Sequence, residues 1–155
     1  MLTKSTEYAL RALVFIQLKN WEGNRPGIIE ISSEIESPSA FTAKILQTLT
    51  RHGLLRSAKG RGGGFFFDAG RGDLSLFDVV KVMEGESFFS SCGFGLKNCS
   101  DEQPCPLHKS YAKIRDGYAE IIRSETVQSL AMKVKKGKAV LNRISHDNTF
   151  NINKS

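Results

Sequence analysis

The stretch SPSAFTAKILQTLTRHGLLRSAKGRGGGFFF, running from Ser37 to Phe67, decides the architecture. Ser37 followed by Pro38 reads as a helix N-cap with a proline at the first helical position, where its missing N–H costs nothing. Phe41, Ile45 and Leu49 then recur at helical spacing as a buried stripe, and Gly53 stands where a glycine closes a helix. Just upstream, Ile28 to Ile35 reads as a shorter helix, and two helices joined by so short a turn form a helix-turn-helix. Beyond Gly53, Leu54-Leu55-Arg56-Ser57 and Phe65-Phe66-Phe67 are β-prone runs on either side of a glycine-rich basic tip, which predicts a hairpin placed as a wing. A phosphate-binding glycine loop would need a helix to start after the glycines, and three phenylalanines do not provide that start.

No Asp or Glu occurs between Ser37 and Phe67, whereas Lys44, Arg51, Arg56, Lys59 and Arg61 all fall inside that stretch. Such a segment suits a polyanion, and a helix-turn-helix with a wing makes double-stranded DNA the expected one. The expected contacts are Ser37, Ser39, Thr42, Lys44, Gln47 and Arg51 on the second helix, with Lys59, Arg61 and Gly62 on the wing. There the glycines let the backbone approach phosphates, and the cations neutralise them or enter a narrow minor groove.

Upstream, residues Thr3 to Lys19 carry apolar positions at Ala9, Leu13 and Ile16, flanked by Tyr8, Ala12 and Phe15, with Thr3 or Ser5 as N-cap. The loop from Asn20 to Gly27 ends that helix. Downstream, Ser75 caps a further helix with Asp78 at the capping-box position and Gly85 as its stop, completing a winged domain over residues 1–86. A cysteine-bearing loop spans residues 87–106. In the next segment, residues 107–134, Leu107, Tyr111, Ile114, Tyr118 and Ile121 repeat with spacings of four, three, four and three, a narrow heptad-like stripe suited to pairing with a second copy. Packing of this stripe within the chain is the alternative. Thr126 then caps a short final helix through Leu130, and residues 135–155 read as a disordered tail. The fold class is therefore mostly α with a small β-hairpin wing: a winged helix-turn-helix domain plus a long C-terminal dimerisation helix.

The 155 residues, 40% of them hydrophobic, suit one ordinary domain with an appended helix, and the formal charge of +6 matters through its uneven distribution. No run of eighteen apolar residues occurs and the first residues lack a signal peptide, so the expected location is the cytoplasm and no membrane partner is expected. Enzymatic activity is not expected. His52 sits in the DNA-reading helix, His146 in the tail, and no paired carboxylates or nucleophile with a neighbouring base can be found.

Three cysteines, Cys92, Cys99 and Cys105, are separated by six and five residues. An odd number in a reducing compartment argues for metal or redox chemistry over a structural disulfide. Thiolates suit iron–sulfur clusters and zinc alike. Zinc knuckles commonly use tighter spacing, which favours a cluster slightly and leaves zinc as the alternative. A small electron-transfer protein would also hold a cluster, but it would not need the acid-free helix and wing.

The opening Leu2-Thr3-Lys4-Ser5-Thr6-Glu7-Tyr8-Ala9-Leu10-Arg11-Ala12-Leu13, the Ser37-Pro38-Ser39 helix start, the wing Gly60-Arg61-Gly62-Gly63-Gly64-Phe65 and the cysteine triplet together resemble the IscR/NsrR/CymR superfamily of winged-helix regulators. The resemblance covers about Met1 to Leu130. It implies a homodimer with crossing C-terminal helices that binds a pseudo-palindromic operator, most simply as a repressor. In cluster-binding members it implies a 2Fe–2S or 4Fe–4S cluster on the three cysteines, sensing nitric oxide, redox state or iron–sulfur supply. His108, three residues after Cys105, is similar in position to the histidine ligand of the cluster-assembly regulator, although that regulator spaces its first two cysteines one residue closer. Glu7 stands where the nitric-oxide-sensing members place an aspartate ligand contributed by the other subunit.

Overall fold

The computed structural model describes residues 1–144, so the tail expected beyond Ile144, with His146, lies outside the described residues. Thr3, in extended conformation, accepts the N–H of Thr6 and opens α1 (Lys4–Trp21). Ala9, Ala12, Leu13 and Ile16 of α1 are fully buried and form the axis of the core. Around them pack α2 (Ile28–Ile35), α3 (Ser39–Arg51), α4 (Leu76–Glu84), the upper turns of α5 (His108–Ser124) and α6 (Val127–Lys135). Fully burying each of Leu13, Ile16, Ile31, Ile35, Leu46, Leu49 and Val79 contributes roughly 1.5–3 kcal/mol.

The turn between α2 and α3 is closed differently from the sequence expectation. Glu36 adopts the left-handed conformation at φ 56°, its N–H reaches Ser33 O at 3.4 Å, and the N–H of Ser37 reaches Ser32 O at 3.0 Å. That is a Schellman closure of α2. Ser37 is thereby held by the preceding helix, and Pro38, not Ser37, takes the N-cap position of α3, its carbonyl accepting the N–H of Thr42 at 2.9 Å.

The wing consists of β1 (Arg56–Ala58) and β2 (Gly64–Phe66), antiparallel, with Arg56 opposite Phe66 and Ala58 opposite Gly64. Its base is tied to the loop after α1. Phe65 N–H donates to Pro26 O at 2.9 Å, the Asn20 side chain bridges Phe65 O and Phe67 N–H, and the Arg25 guanidinium stacks 3.8 Å above the Phe66 ring. Only glycine fits at position 64, where φ is 131° and a Cβ would lie 2.2 Å from Arg25 O.

Two clamps close the domain. Gln128 of α6 donates to the buried Gln17 of α1 at 2.9 Å and accepts from Leu74 N–H at 2.7 Å, while Leu76 N–H donates to Glu125 O at 3.1 Å and Val127 N–H to Leu74 O at 2.8 Å on either side of the bridge between Ser75 and Thr126. The final helix therefore belongs to the winged domain, with Val127 and Ala131 fully buried, and it runs on from a Thr126–Ser129 capping box to Lys135. The tail expectation is also corrected in part. Leu141 packs on the core, and Asn142 donates to the Glu34 carbonyl at 3.3 Å, which folds residues 139–142 back beside α1 and α2. At α4, Ser75 caps through Phe77 N–H alone, so Asp78 forms no capping box.

The second clamp is Glu84, which accepts from Thr3 N–H at 2.7 Å, Thr3 Oγ1 at 2.9 Å and Thr6 Oγ1 at 2.6 Å, joining the last turn of α4 to the first of α1. Burial pulls its carboxyl up, but the Thr6 and Thr3 donors and the N-terminal charge outweigh that and hold it below the ordinary glutamate range. A carboxyl depressed by folding adds stability that is present above its unfolded pKa and is lost as pH falls through the folded one. Stability followed by circular dichroism should fall as pH drops below about 4.3. Glu84→Gln should be less stable at neutral pH and should flatten that limb; an acid limb of unchanged steepness would contradict the assignment.

Candidate nucleic-acid interface and cysteine centre

On α3, the side chains of Ala40, Lys44, Gln47 and Arg51 are exposed and follow the spacing four, three, four along one face, with Ser39 beside them. Lys59, Gly60, Arg61 and Gly62 are exposed at the wing tip. Two expected contacts lie elsewhere. Thr42 is fully buried with its hydroxyl donating to Pro38 O at 3.1 Å, and Ser37 is 8% exposed within the closure of α2. Neither side chain is available to a ligand, because both satisfy the turn that aims α3. Ala40 was missed by the sequence reading, yet stepping back from Arg51 by four, three and four residues finds it. A small apolar side chain at that place can meet a thymine methyl, while Gln47 offers the paired donor and acceptor that match adenine, and Lys44 and Arg51 match guanine or phosphate.

The stripe on α5 is split. Its five positions span an arc of about 80° at about 100° per residue, and the helix lies so that this arc straddles the boundary between chain and solvent. Tyr111 and Tyr118 turn inward. The Tyr111 ring occupies the place a side chain at Gly93 would need, and Tyr118 meets Phe88 at 6.5 Å and Phe89 at 6.2 Å. Leu107, Ile114 and Ile121 point outward at 48, 71 and 61% exposure, seven residues apart. The aromatic positions thus pack within the chain, as the second sequence alternative expects, while the aliphatic ones remain exposed.

The inward face of α5 receives the cysteine loop. Phe89 stacks on Phe77 of α4 at 5.0 Å, and the Arg123 guanidinium of α5 lies 4.3 Å from the centroid of the same Phe77 ring, so the loop entrance is wedged between α4 and α5. Farther along, the donors stand in two pairs. Cys92 and Cys105 are within side-chain hydrogen-bonding reach, and the Cys92 thiol is held below the ordinary range by the N–H of Phe94 first, against the opposing effect of burial, with help from the N–H groups of Leu96 and Gly95 and from Cys105. Cys99 Sγ lies 3.4 Å from His108 Nδ1, and His108 Nε2 lies 2.7 Å from Asp101 Oδ1. A carboxylate on one ring nitrogen fixes the orientation of the other toward a ligand. All three cysteines are free thiols, and among the described residues no three His, Cys, Asp or Glu side chains converge on one ion-sized site. Glu7 is not part of the group; it sits on the first turn of α1, paired with Lys4 at 3.6 Å.

The family described as Rrf2, iron-dependent transcriptional regulator, matches residues 2–133. The chain belongs to the Rrf2 family. As an Rrf2 protein it is a DNA-binding transcriptional regulator, and several of the relatives it matches are named as transcriptional regulators. It is 33% identical over 130 residues to protein aau3 of Rhizobium meliloti, covering 83% of each chain. It is 32% identical over 108 residues to the transcriptional repressor NsrR of Streptomyces coelicolor, covering 68% of this chain and 67% of that one. The cysteine regulator CymR of Bacillus subtilis has the same fold, with a TM-score of 0.69 at 22% identity over 85% of this chain and 96% of that one. Six helices and a two-stranded wing are thus the Rrf2 winged-helix architecture. Among the described residues no helix is long and apolar enough to cross a membrane.

Proposed function

We propose that this Rrf2 regulator binds a pseudo-palindromic operator as a homodimer, and that an iron–sulfur cluster, 2Fe–2S or 4Fe–4S, on Cys92, Cys99 and Cys105 controls its affinity as a repressor. The carrying observation is the cysteine loop wedged between α4 and α5, with its donors in two separated pairs. Three thiols and an imidazole standing in two pairs suit a multi-iron cluster better than one tetrahedral zinc ion, and the iron-dependent description of the family points the same way. His108 is the proposed fourth ligand, oriented by Asp101. Bound there, a cluster supplies a centre that reacts with nitric oxide or oxidants, or that reports iron–sulfur supply.

The chain's own residues supply the rest. Phe89 on Phe77 links the loop to α4, and Glu84 links α4 to the start of α1, so a change in loop order reaches the helix-turn-helix through packed groups. A coupling of about 1–3 kcal/mol suffices for a several-fold to hundredfold change in operator affinity. On the DNA side, Ala40, Lys44, Gln47 and Arg51 read bases from the major groove while Lys59 and Arg61 hold the backbone or minor groove. The test is a gel shift or anisotropy titration across salt concentrations. Exchanging both Lys59 and Arg61 for alanine should weaken binding to specific and random duplexes alike and reduce the slope of log K against log salt by about 0.9 per lost phosphate contact. Gln47→Ala should instead narrow the gap between operator and random DNA. An unaltered salt slope in the double variant would remove the wing from the interface, and no duplex retention in any metal state would favour a cluster-bearing redox carrier.

A further inference from the structure

Arg115 belongs neither to the outward edge of α5 nor to the DNA-reading face, yet its side chain is 14% exposed and makes contacts on three sides. Its NH1 group donates to Ser91 O at 3.2 Å, its Nε donates to Asp116 Oδ1 at 3.0 Å, and the guanidinium faces the side chain of Cys99. Ser91 adjoins Cys92, so one planar fork reaches both cysteine pairs' segments of the loop. Tyr111, four residues earlier on the same helix, fills the space beside Gly93, and Tyr118, three residues later, meets Phe88 and Phe89. Tyr111, Arg115 and Tyr118 are consecutive on one helix face. They form a bed for the loop in which Arg115 is the one cation, and its guanidinium donates to the residue that precedes Cys92.

We propose that Arg115 is the positioning residue of the cysteine loop: it fastens Ser91 and Cys99 to α5 before any metal is bound, and it remains as a cationic hydrogen-bond donor beside the Cys99 sulfur once a metal centre is in place. The second half rests on the iron–sulfur reading above; the first half does not. Holding the loop in advance removes part of the ordering cost of binding. A fixed positive charge and a hydrogen bond at a ligand sulfur favour the more negatively charged, reduced state of a redox centre and so raise its potential. Arginine does both because its fork spans two acceptors while its charge is permanent; lysine offers the charge without the fork.

Three full-length variants separate these roles. In metal-free protein, amide exchange across residues 89–105 should be about tenfold faster in Arg115→Met, Arg115→Gln and Arg115→Lys alike, since each loses the fork. In reconstituted protein the reduction potential should fall in Arg115→Gln and Arg115→Met but stay near the wild-type value in Arg115→Lys. Helix content and the thermal midpoint identify a variant that has failed to fold, in which case the lysine variant decides the exchange arm. Exchange unchanged in every folded variant overturns the positioning role. A coloured wild type whose potential matches that of Arg115→Gln overturns the charge role, and a wild type that takes up no cluster overturns the iron–sulfur reading and the charge role with it, while the exchange arm still decides the first half.

Discussion

Ile114→Glu should split the proposed homodimer into monomers at micromolar concentration. Ile114 is 71% exposed in one chain and stands midway between Leu107 and Ile121, each seven residues away, so the three lie on a nearly straight line along α5. Seven residues fall only about 20° short of two full turns, which keeps such a line facing one partner. In an isologous interface the substitution counts twice. A carboxylate placed without a partner in an apolar contact costs about 1.5–3 kcal/mol per copy, so the dissociation constant should rise between about a hundredfold and ten-thousandfold. Sedimentation measures the mass directly. Ile29→Glu is the control, because Ile29 is 74% exposed but lies on α2, and it should leave the mass unchanged. Operator affinity should fall with the dimer, since the two half-sites are then bound independently. A dimer mass for Ile114→Glu would place the interface elsewhere.

The parts of this fold written in local chemistry were legible in the sequence. Thr3, Ser75 and Thr126 announce helix starts by side-chain capping, Gly53 and Gly85 announce stops, and the glycine-rich tip announces the wing. What depended on competition for neighbouring backbone groups, or on contacts between distant segments, was not. Ser37 looked like a cap because its sequence neighbour is proline, but Ser32 O, five residues back, claims its N–H and shifts the cap to Pro38. Thr42 looked like a base reader because threonine is polar; its hydroxyl satisfies Pro38 O and lets it sink into the core. The attachment of α6 to α1 rests on Gln17 and Gln128, 111 residues apart, which no periodicity reveals. Period alone likewise could not divide the α5 stripe, since Phe88 and Phe89 choose the aromatic half through a loop with no regular spacing of its own.

The cysteine loop shows the same limit at the site itself, and the largest expected effect follows from it. Spacing gave three thiols and a nearby histidine; only the fold separates them into Cys92 with Cys105 and Cys99 with His108. If both pairs hold one cluster, losing any thiol removes a ligand from a centre for which the chain has no further cysteine. Cys92→Ala, Cys99→Ala and Cys105→Ala should therefore each lose most of the iron and the visible absorbance of protein isolated without oxygen, and bind operator as the metal-free wild type does. His108→Ala should be milder, retaining a coloured but more labile centre with a shifted potential, because an oxygen donor or a small thiol can replace a single imidazole. Asp101→Asn should move the same spectrum less, with affinity for the centre falling about tenfold, as expected for an orienting group behind a ligand. Glu7→Ala should leave both properties unaltered if His108 is the fourth ligand; a spectral shift for Glu7→Ala together with none for His108→Ala would assign that ligand to α1 of the second subunit. Colourless protein holding stoichiometric zinc and no iron would sink the cluster reading altogether, and the exposed face of α3 with its basic wing would still bind DNA.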